Sequence, residues 1–320
     1  MLSLLRSQLV FQVPPPTASF TGQTIIVTGA NTGLGLEAAR QFVRHDARRV
    51  ILAVRDMAKG TAAKSDIDSH DNDGKCSVEV WQVDLTSYES VEAFSQRAAG
   101  LDRVDVLVAN AGVYLFDFSL AEDNEATITV NVLSTLLLGI RLLPKLRETS
   151  VALHKPCVMT FAGSFVHKMT TFPERKKEKI FAELARPNAR MIDRYNVSKL
   201  IQLLLVRELA NKVTLSSQDG HVIVSTVNPG LVKTSIMRHA RSIFAISDKI
   251  FKALLARTPE DGGNTLVHAA SGGDETHGQY LDDCSVGRVS SFVSSEEGHL
   301  TQQQLWREMC EILRIPEGSL

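Results

Sequence analysis

The sequence has little from which to build a metal or disulfide scaffold. Its 320 residues include only four cysteines, Cys76, Cys157, Cys284 and Cys310. No two are close enough for a Cys-x-x-Cys clamp, which argues against a zinc site or a thioredoxin-like pair. A chain this long buries a sizeable core without staples, so reduced thiols in an intracellular protein are expected. The histidines form no metal-ligand cluster, so no metal is expected. An excess of one charge is also missing: 35 Lys and Arg stand against 36 Asp and Glu, a formal net charge of -1. That balance gives no electrostatic reason to expect a nucleic-acid partner. Long apolar runs are absent. Leu136-Leu137-Leu138-Gly139-Ile140 ends at Arg141, far below the ~20 residues of a membrane span. The N-terminal MLSLLRSQLVFQVPPP carries its one charge, Arg6, inside the apolar run rather than before it, unlike a secretory signal. It is expected to form an amphipathic arm that packs on the body or touches a membrane surface weakly.

What is present is ordinary globular composition, 44% hydrophobic and 22% charged, with a clear alternation. Short apolar runs at 24–27, 50–54, 78–83, 104–109, 157–161, 221–227 and 279–281 read as strands. Helix-length segments between them, at 33–45, from about 57, and at 87–99, imply βαβ units. The expected fold class is therefore α/β, a single-domain, doubly wound parallel sheet with helices on both faces. Helices on both faces explain why the strand runs are apolar throughout. Expected boundaries are an arm at 1–19, the main domain at 20–285 and a helical tail at 286–320 packed on it. Two stretches break the alternation. Residues 165–194 include the charged run Pro173-Glu174-Arg175-Lys176-Lys177-Glu178-Lys179 and read as a surface excursion. Residues 231–258 carry Ile236, Met237, Phe244, Ile246, Phe251, Leu254 and Leu255, a lid over a greasy substrate or simple packing.

The first strand runs into Thr28-Gly29-Ala30-Asn31-Thr32-Gly33-Leu34-Gly35. Gly29 suits a tight turn with positive φ, Gly33 lets a pyrophosphate approach the backbone, and Gly35 lets helix and sheet pack closely. The N–H groups and positive dipole at the helix start then hold phosphates. After the second strand comes Arg55, which pairs a 2′-phosphate and so favours NADP(H). Asp56, one residue on, is the competing ribose ligand if the register slips. Tyr195-Asn196-Val197-Ser198-Lys199 opens a helical stretch, where positions i and i+4 share a face. A phenol beside a cation becomes a usable proton donor and acceptor near neutral pH.

Taken together, TGANTGLG at 28–35, Asp84-Leu85, Asn110-Ala111-Gly112, Asn131, Ser164, Tyr195-x-x-x-Lys199 and Pro229-Gly230 resemble the short-chain dehydrogenase/reductase family. The resemblance spans about residues 20 to 285. The sequence looks most like the retinol-dehydrogenase-like group and its fungal secondary-metabolite members, through Ala53-Val54-Arg55-Asp56 and the insertion before Tyr195. The resemblance implies a Rossmann-type fold and a catalytic set of Asn131, Ser164, Tyr195 and Lys199. Tyr195 would be the general acid in reduction and the base in oxidation. Lys199 would lower its pKa and bond the nicotinamide ribose, Ser164 would stabilise the developing alkoxide, and Asn131 would hold a water. NADP(H) would be bound by Gly29, Asn31, Thr32, Gly33, Leu34, Gly35, Arg55, Asp84, Leu85, Asn110, Ala111, Gly112, Tyr195, Lys199, Pro229, Gly230, Val232 and Thr234. Two features depart from the family pattern. Gly163 stands where a second Ser is common, and Ser164 lies 31 positions before Tyr195. His167 reads as a loop residue or as part of the substrate cleft.

The expected activity is NADP(H)-dependent interconversion of a ketone or aldehyde and an alcohol, on a small lipophilic, polyketide- or terpenoid-like substrate. The alternative is a non-catalytic NADP-binding sensor or scaffold of the same fold, which predicts a damaged catalytic set. The expected location is cytoplasmic. The expected state is a monomer, or a homodimer through the helices holding residues 133–146 and 200–209, unless arm and tail cap that surface.

Overall fold

The computed structural model describes residues 11–187, 190–233 and 256–316. Strand and helix alternate strictly at first: β1 (Thr24–Thr28), α1 (Gly33–Arg44), β2 (Arg49–Val54), α2 (Met57–His70), β3 (Ser77–Gln82), α3 (Tyr88–Ala99) and β4 (Val106–Ala109). A small hairpin, β5 (Leu120–Ala121) and β6 (Asn124–Glu125), precedes the long helix α4 (Ala126–Leu153). Then come β7 (Cys157–Ala162), α5 (Ile180–Leu184), α6 (Met191–Leu215), β8 (Val222–Asn228), α7 (Pro259–Ala270), β9 (Tyr280–Asp282), β10 (Ser285–Val286) and α8 (Glu296–Leu313). Side-chain caps fix several helix starts. Asp56 accepts from the Lys59 N–H on α2, and Thr258 and Asp261 form a reciprocal capping box on α7.

The main sheet has the order β10-β9-β8-β7-β4-β1-β2-β3. All neighbours are parallel except the edge pair β9 and β10. The chain winds outward from β1 to β3, then returns to β4 on the other side of β1. That reversal opens a crevice at the carboxyl ends of β1 and β4. The alternating pleat of β1 feeds two cores. Ile25 and Val27 join Phe42 of α1 and Val267 of α7, whereas Ile26 joins Leu136 of α4 and Leu203 of α6. This is the doubly wound α/β fold with both faces covered that the strand pattern predicts.

Helix α4 is long and apolar enough to cross a membrane. Yet its apolar stretch is almost wholly buried inside the fold, so it serves as the central core helix. The segment 165–187 is only partly a surface excursion. Its charged run lies outside, but Phe172, Ile180, Phe181 and Leu184 are fully buried. Helix α8 secures it: Glu308 accepts from the N–H groups of Ile180 and Phe181, both at 3.0 Å, and the Gln304 amide donates to the carbonyls of Lys177 and Glu178. The same helix meets α6 through Gln302, which donates to Glu208 at 2.7 Å. From residue 11 the arm lies along α7, where His268 Nε2 is 2.9 Å from the Pro14 carbonyl. Residues 1–10 and 234–255, with Thr234 and the apolar side chains from Ile236 to Leu255, lie outside the described residues.

Candidate active site

The glycine turn is held in place from behind. Gly29 and Gly33 adopt φ of 67° and 58°, the left-handed region that suits glycine. A Cβ on Gly35 would stand 2.5 Å from Asn110 Nδ2 and 2.6 Å from the Gly29 oxygen, so only hydrogen fits there. Asn110 donates to the Thr28 carbonyl at 2.9 Å, and the Ala111 N–H donates to Thr28 Oγ1 at 2.9 Å. The ends of β1 and β4 are thereby stitched together. Thr32 is the N-cap of α1 but makes no side-chain bond to its first turn, which leaves those N–H donors to a ligand.

In front of this turn is a cleft of ≈ 440 Å³. It is lined by Gly29, Asn31, Thr32, Arg55, Asp84, Leu85, Ala111 and Gly112 among the expected residues, and also by Asp56, Lys59, Thr86, Val113 and Val130. The carboxylate of Asp56 is engaged twice, by the Lys59 N–H at 3.1 Å and by the Lys59 ammonium at 3.3 Å. These bonds hold it below the usual carboxylate range. One oxygen of Asp84 accepts from both the N–H and the hydroxyl of Thr86. Lys59 was not singled out by the sequence reading. Its signal was the spacing of three from a capping aspartate just after Arg55. Gly33, Leu34 and Gly35 lie in the turn without lining the cleft, and Pro229, Gly230 and Val232, beyond β8, do not line it either. There the Asn228 amide oxygen accepts from the Gly230 N–H at 3.2 Å, and Val232 bridges Arg257.

At Gly112 the cleft borders the second group of residues. A Cβ at Gly112 would stand 3.1 Å from Asn131 Oδ1 and 3.9 Å from Lys199 Nζ. Asn131 lies in a π-helical stretch of α4, Thr129–Ser134, a widened turn often found at functional positions. Its oxygen accepts from the Val113 N–H at 2.8 Å. Its amide donates to the Val113 carbonyl at 2.9 Å and to Ser198 Oγ at 3.1 Å. Asn131 thus ties the loop after β4 to α4 and α6. A second tie is the ion pair of Glu125 and Arg194 at 3.5 Å, both fully buried. Glu125 also accepts from the N–H groups of Thr127 and Ile128 at the start of α4.

Lys199 donates to the Ala162 carbonyl at 2.6 Å and to Gln202 Oε1 at 3.1 Å, and lies 5.9 Å from the centroid of the Tyr195 ring. Burial lowers its pKa to about 7. Burial pushes the Tyr195 phenol up from its ordinary value, and the neighbouring Tyr114 phenol adds to that. Both causes raise it, and the lowering by Lys199 that the motif led us to expect is not among them. Ser164 caps a 3₁₀ turn, where its Oγ accepts from the Val166 N–H at 3.4 Å. That bond leaves the hydroxyl proton for another acceptor.

His167 is not a plain loop residue. It is 1% exposed, and its Nδ1 bonds the Ser164 carbonyl at 2.7 Å, so Nδ1 carries the proton. Burial drops its pKa to about 4, which keeps the ring neutral. The Phe165 N–H, the other polar group of the peptide unit that carries the Ser164 carbonyl, donates to Asn228 Oδ1 at 3.1 Å, so the peptide that follows Ser164 is held through both its carbonyl and its N–H. The sequence reading also missed Tyr114. Its ring stacks on Tyr195 with centroids 4.5 Å apart and planes 7° off parallel, and on Phe116 at 4.8 Å and 13°. Among the described residues no cluster of His, Cys, Asp and Glu suits a metal.

Comparison with known proteins identifies the family. Residues 23–152 match the family model for short chain dehydrogenases. The short chain dehydrogenase/reductase dmxR8 of Cryptosporiopsis sp. is 41% identical over 98% of this chain and 97% of its own. The short-chain dehydrogenase anuD of Penicillium roqueforti is 40% identical over 98% of this chain and 83% of its own. Among solved structures, the Pseudomonas aeruginosa RhlG/NADP active-site complex superimposes with a TM-score of 0.61 at 22% identity, over 82% of this chain and 95% of that one. The chain belongs to the short-chain dehydrogenase/reductase family, and its relatives above 30% identity include the fungal proteins that its motifs resemble.

Proposed function

We propose that this oxidoreductase interconverts a ketone or aldehyde and an alcohol with NADP(H), on a lipophilic substrate of secondary-metabolite type. The observation that carries the reading is the position of Gly112. That residue lines the cleft of the glycine turn and abuts both Asn131 and Lys199. The cleft suits a dinucleotide, because it opens at the glycine turn, where Gly29, Asn31 and Thr32 line it, and reaches Arg55 and Asp84. The donors at the start of α1 suit the pyrophosphate. Arg55 and Lys59 suit a 2′-phosphate, since Asp56 is already spent on capping and on Lys59. Structures at low identity include complexes with NADP and NADPH, which supports the same choice.

When bound, the nicotinamide supplies or accepts the hydride. In reduction Tyr195 gives its phenolic proton to the carbonyl oxygen as that oxygen gains negative charge. Ser164 donates a hydrogen bond to the same oxygen. The buried ammonium of Lys199 holds the helix face toward the end of β7 and offsets the phenolate left on Tyr195. In oxidation the same phenolate takes the alcohol proton. The test is a panel of lipophilic ketones and alcohols with NADPH consumption as readout. Turnover should fall about 10³-fold in Tyr195→Phe while NADPH binding is kept. Full activity in that variant would reject the acid role.

A further inference from the structure

Tyr195 is one end of a ladder of three half-buried rings, Tyr195, Tyr114 and Phe116. Both faces of Tyr114 are covered, one by Tyr195 and one by Phe116. A phenol oxygen lies on the Cβ–Cγ axis, so turning the ring about that bond leaves it in place; the rotation that swings it out of line is the one about the Cα–Cβ bond. A ring lying flat at 4.5 Å blocks that rotation on one side. The backbone that carries Tyr114 is fixed in turn. Val113, immediately before it, gives both its N–H and its carbonyl to the Asn131 amide, at 2.8 and 2.9 Å. The same Asn131 bonds Ser198, whose hydroxyl donates to the Tyr195 carbonyl at 2.7 Å. Asn131 therefore reaches both partners of the stack, Tyr114 through its backbone and Tyr195 through Ser198.

We propose that Tyr114 is a positioning residue for the reaction: its ring, set by Asn131 through Val113, blocks the Tyr195 phenol from swinging across its own face and so holds the oxygen in place. The proposal rests on the function given above and adds a residue that acts through Tyr195. Proton transfer needs the donor within hydrogen-bond reach of the substrate oxygen. A displacement of about 1 Å costs up to ~10²-fold. The stacked ring does this work, so its hydroxyl is dispensable.

The chain has four tyrosines, which makes the stack directly observable. Protein labelled with ring-fluorinated tyrosine gives four fluorine resonances, and Tyr195→Phe identifies that of Tyr195. In Tyr114→Leu the Tyr195 resonance should move, while those of Tyr88 and Tyr280 stay as folding controls. Tyr114→Met is the second variant if Leu fails to fold. With saturating NADPH, Tyr114→Leu should lose about tenfold in kcat with NADPH affinity unchanged, and Tyr114→Phe should keep wild-type kcat. In a Tyr195→Phe background Tyr114→Leu should cost nothing more. An unmoved Tyr195 resonance, an equal loss in that background, or a Phe variant as poor as Leu would each overturn the proposal. Wild-type protein that binds NADPH yet turns over no carbonyl compound would sink the function instead, and the resonance shift would still decide the stack.

Discussion

At the glycine turn of the cleft, the groups offered to a ligand are largely main chain. On the β7–α6 side they are largely side chain. The first side depends on glycines with positive φ, on helix-start N–H groups and on the Asn110 brace. The second, in the function proposed above, depends on Ser164 after β7 and on Tyr195 and Lys199 of α6, with Asn131, His167 and Tyr114 packed or bonded around them. A main-chain site tolerates many substitutions around it but almost none at the glycines. A side-chain site is open to conservative exchange at each support and loses rate rather than stability when a reacting group is removed.

Three variants would break or sharpen this contrast. Ser164→Ala should lower kcat by about 10²-fold, since a donor aimed at a developing oxyanion is worth that much. Its thermal midpoint and NADPH affinity should stay near wild type, as measured by steady-state kinetics, thermal melting and calorimetry. Gly35→Ala should show the opposite profile. Its Cβ would collide with Asn110 and the Gly29 carbonyl, for a cost of ~1–3 kcal/mol. That loss should appear in the thermal midpoint and in NADPH affinity; a variant with unchanged melting and binding would show that the turn is not tight. Arg55→Asp should leave melting and kcat alone but swing the NADPH to NADH preference by about tenfold, or ~1.4 kcal/mol. An unchanged ratio would move the phosphate site to Lys59 or elsewhere.

The same contrast explains what could be read in the sequence. The glycine turn was legible because a main-chain site needs its glycines at fixed spacing between a strand and a helix. Tyr195 and Lys199 were legible because one helix face carries both. Tyr114 was not, since a stack between a loop residue and a helix residue 81 positions away leaves no local pattern. His167 was read as a loop histidine because its burial depends on Tyr280 of β9, whose ring meets it edge-on at 4.8 Å. The charged run at 173–179 masked the apolar residues that follow it, and their burial requires α8, far along the chain.

That last dependence has a consequence for how the molecule is made. The start of α5 is held by Glu308, 128 residues downstream of Ile180. A nascent chain emerging from the ribosome completes the nucleotide side early, because β1 to β4 are close in sequence. The segment that leads into the helix of Tyr195 must wait, its apolar residues uncovered, until α8 has been synthesised.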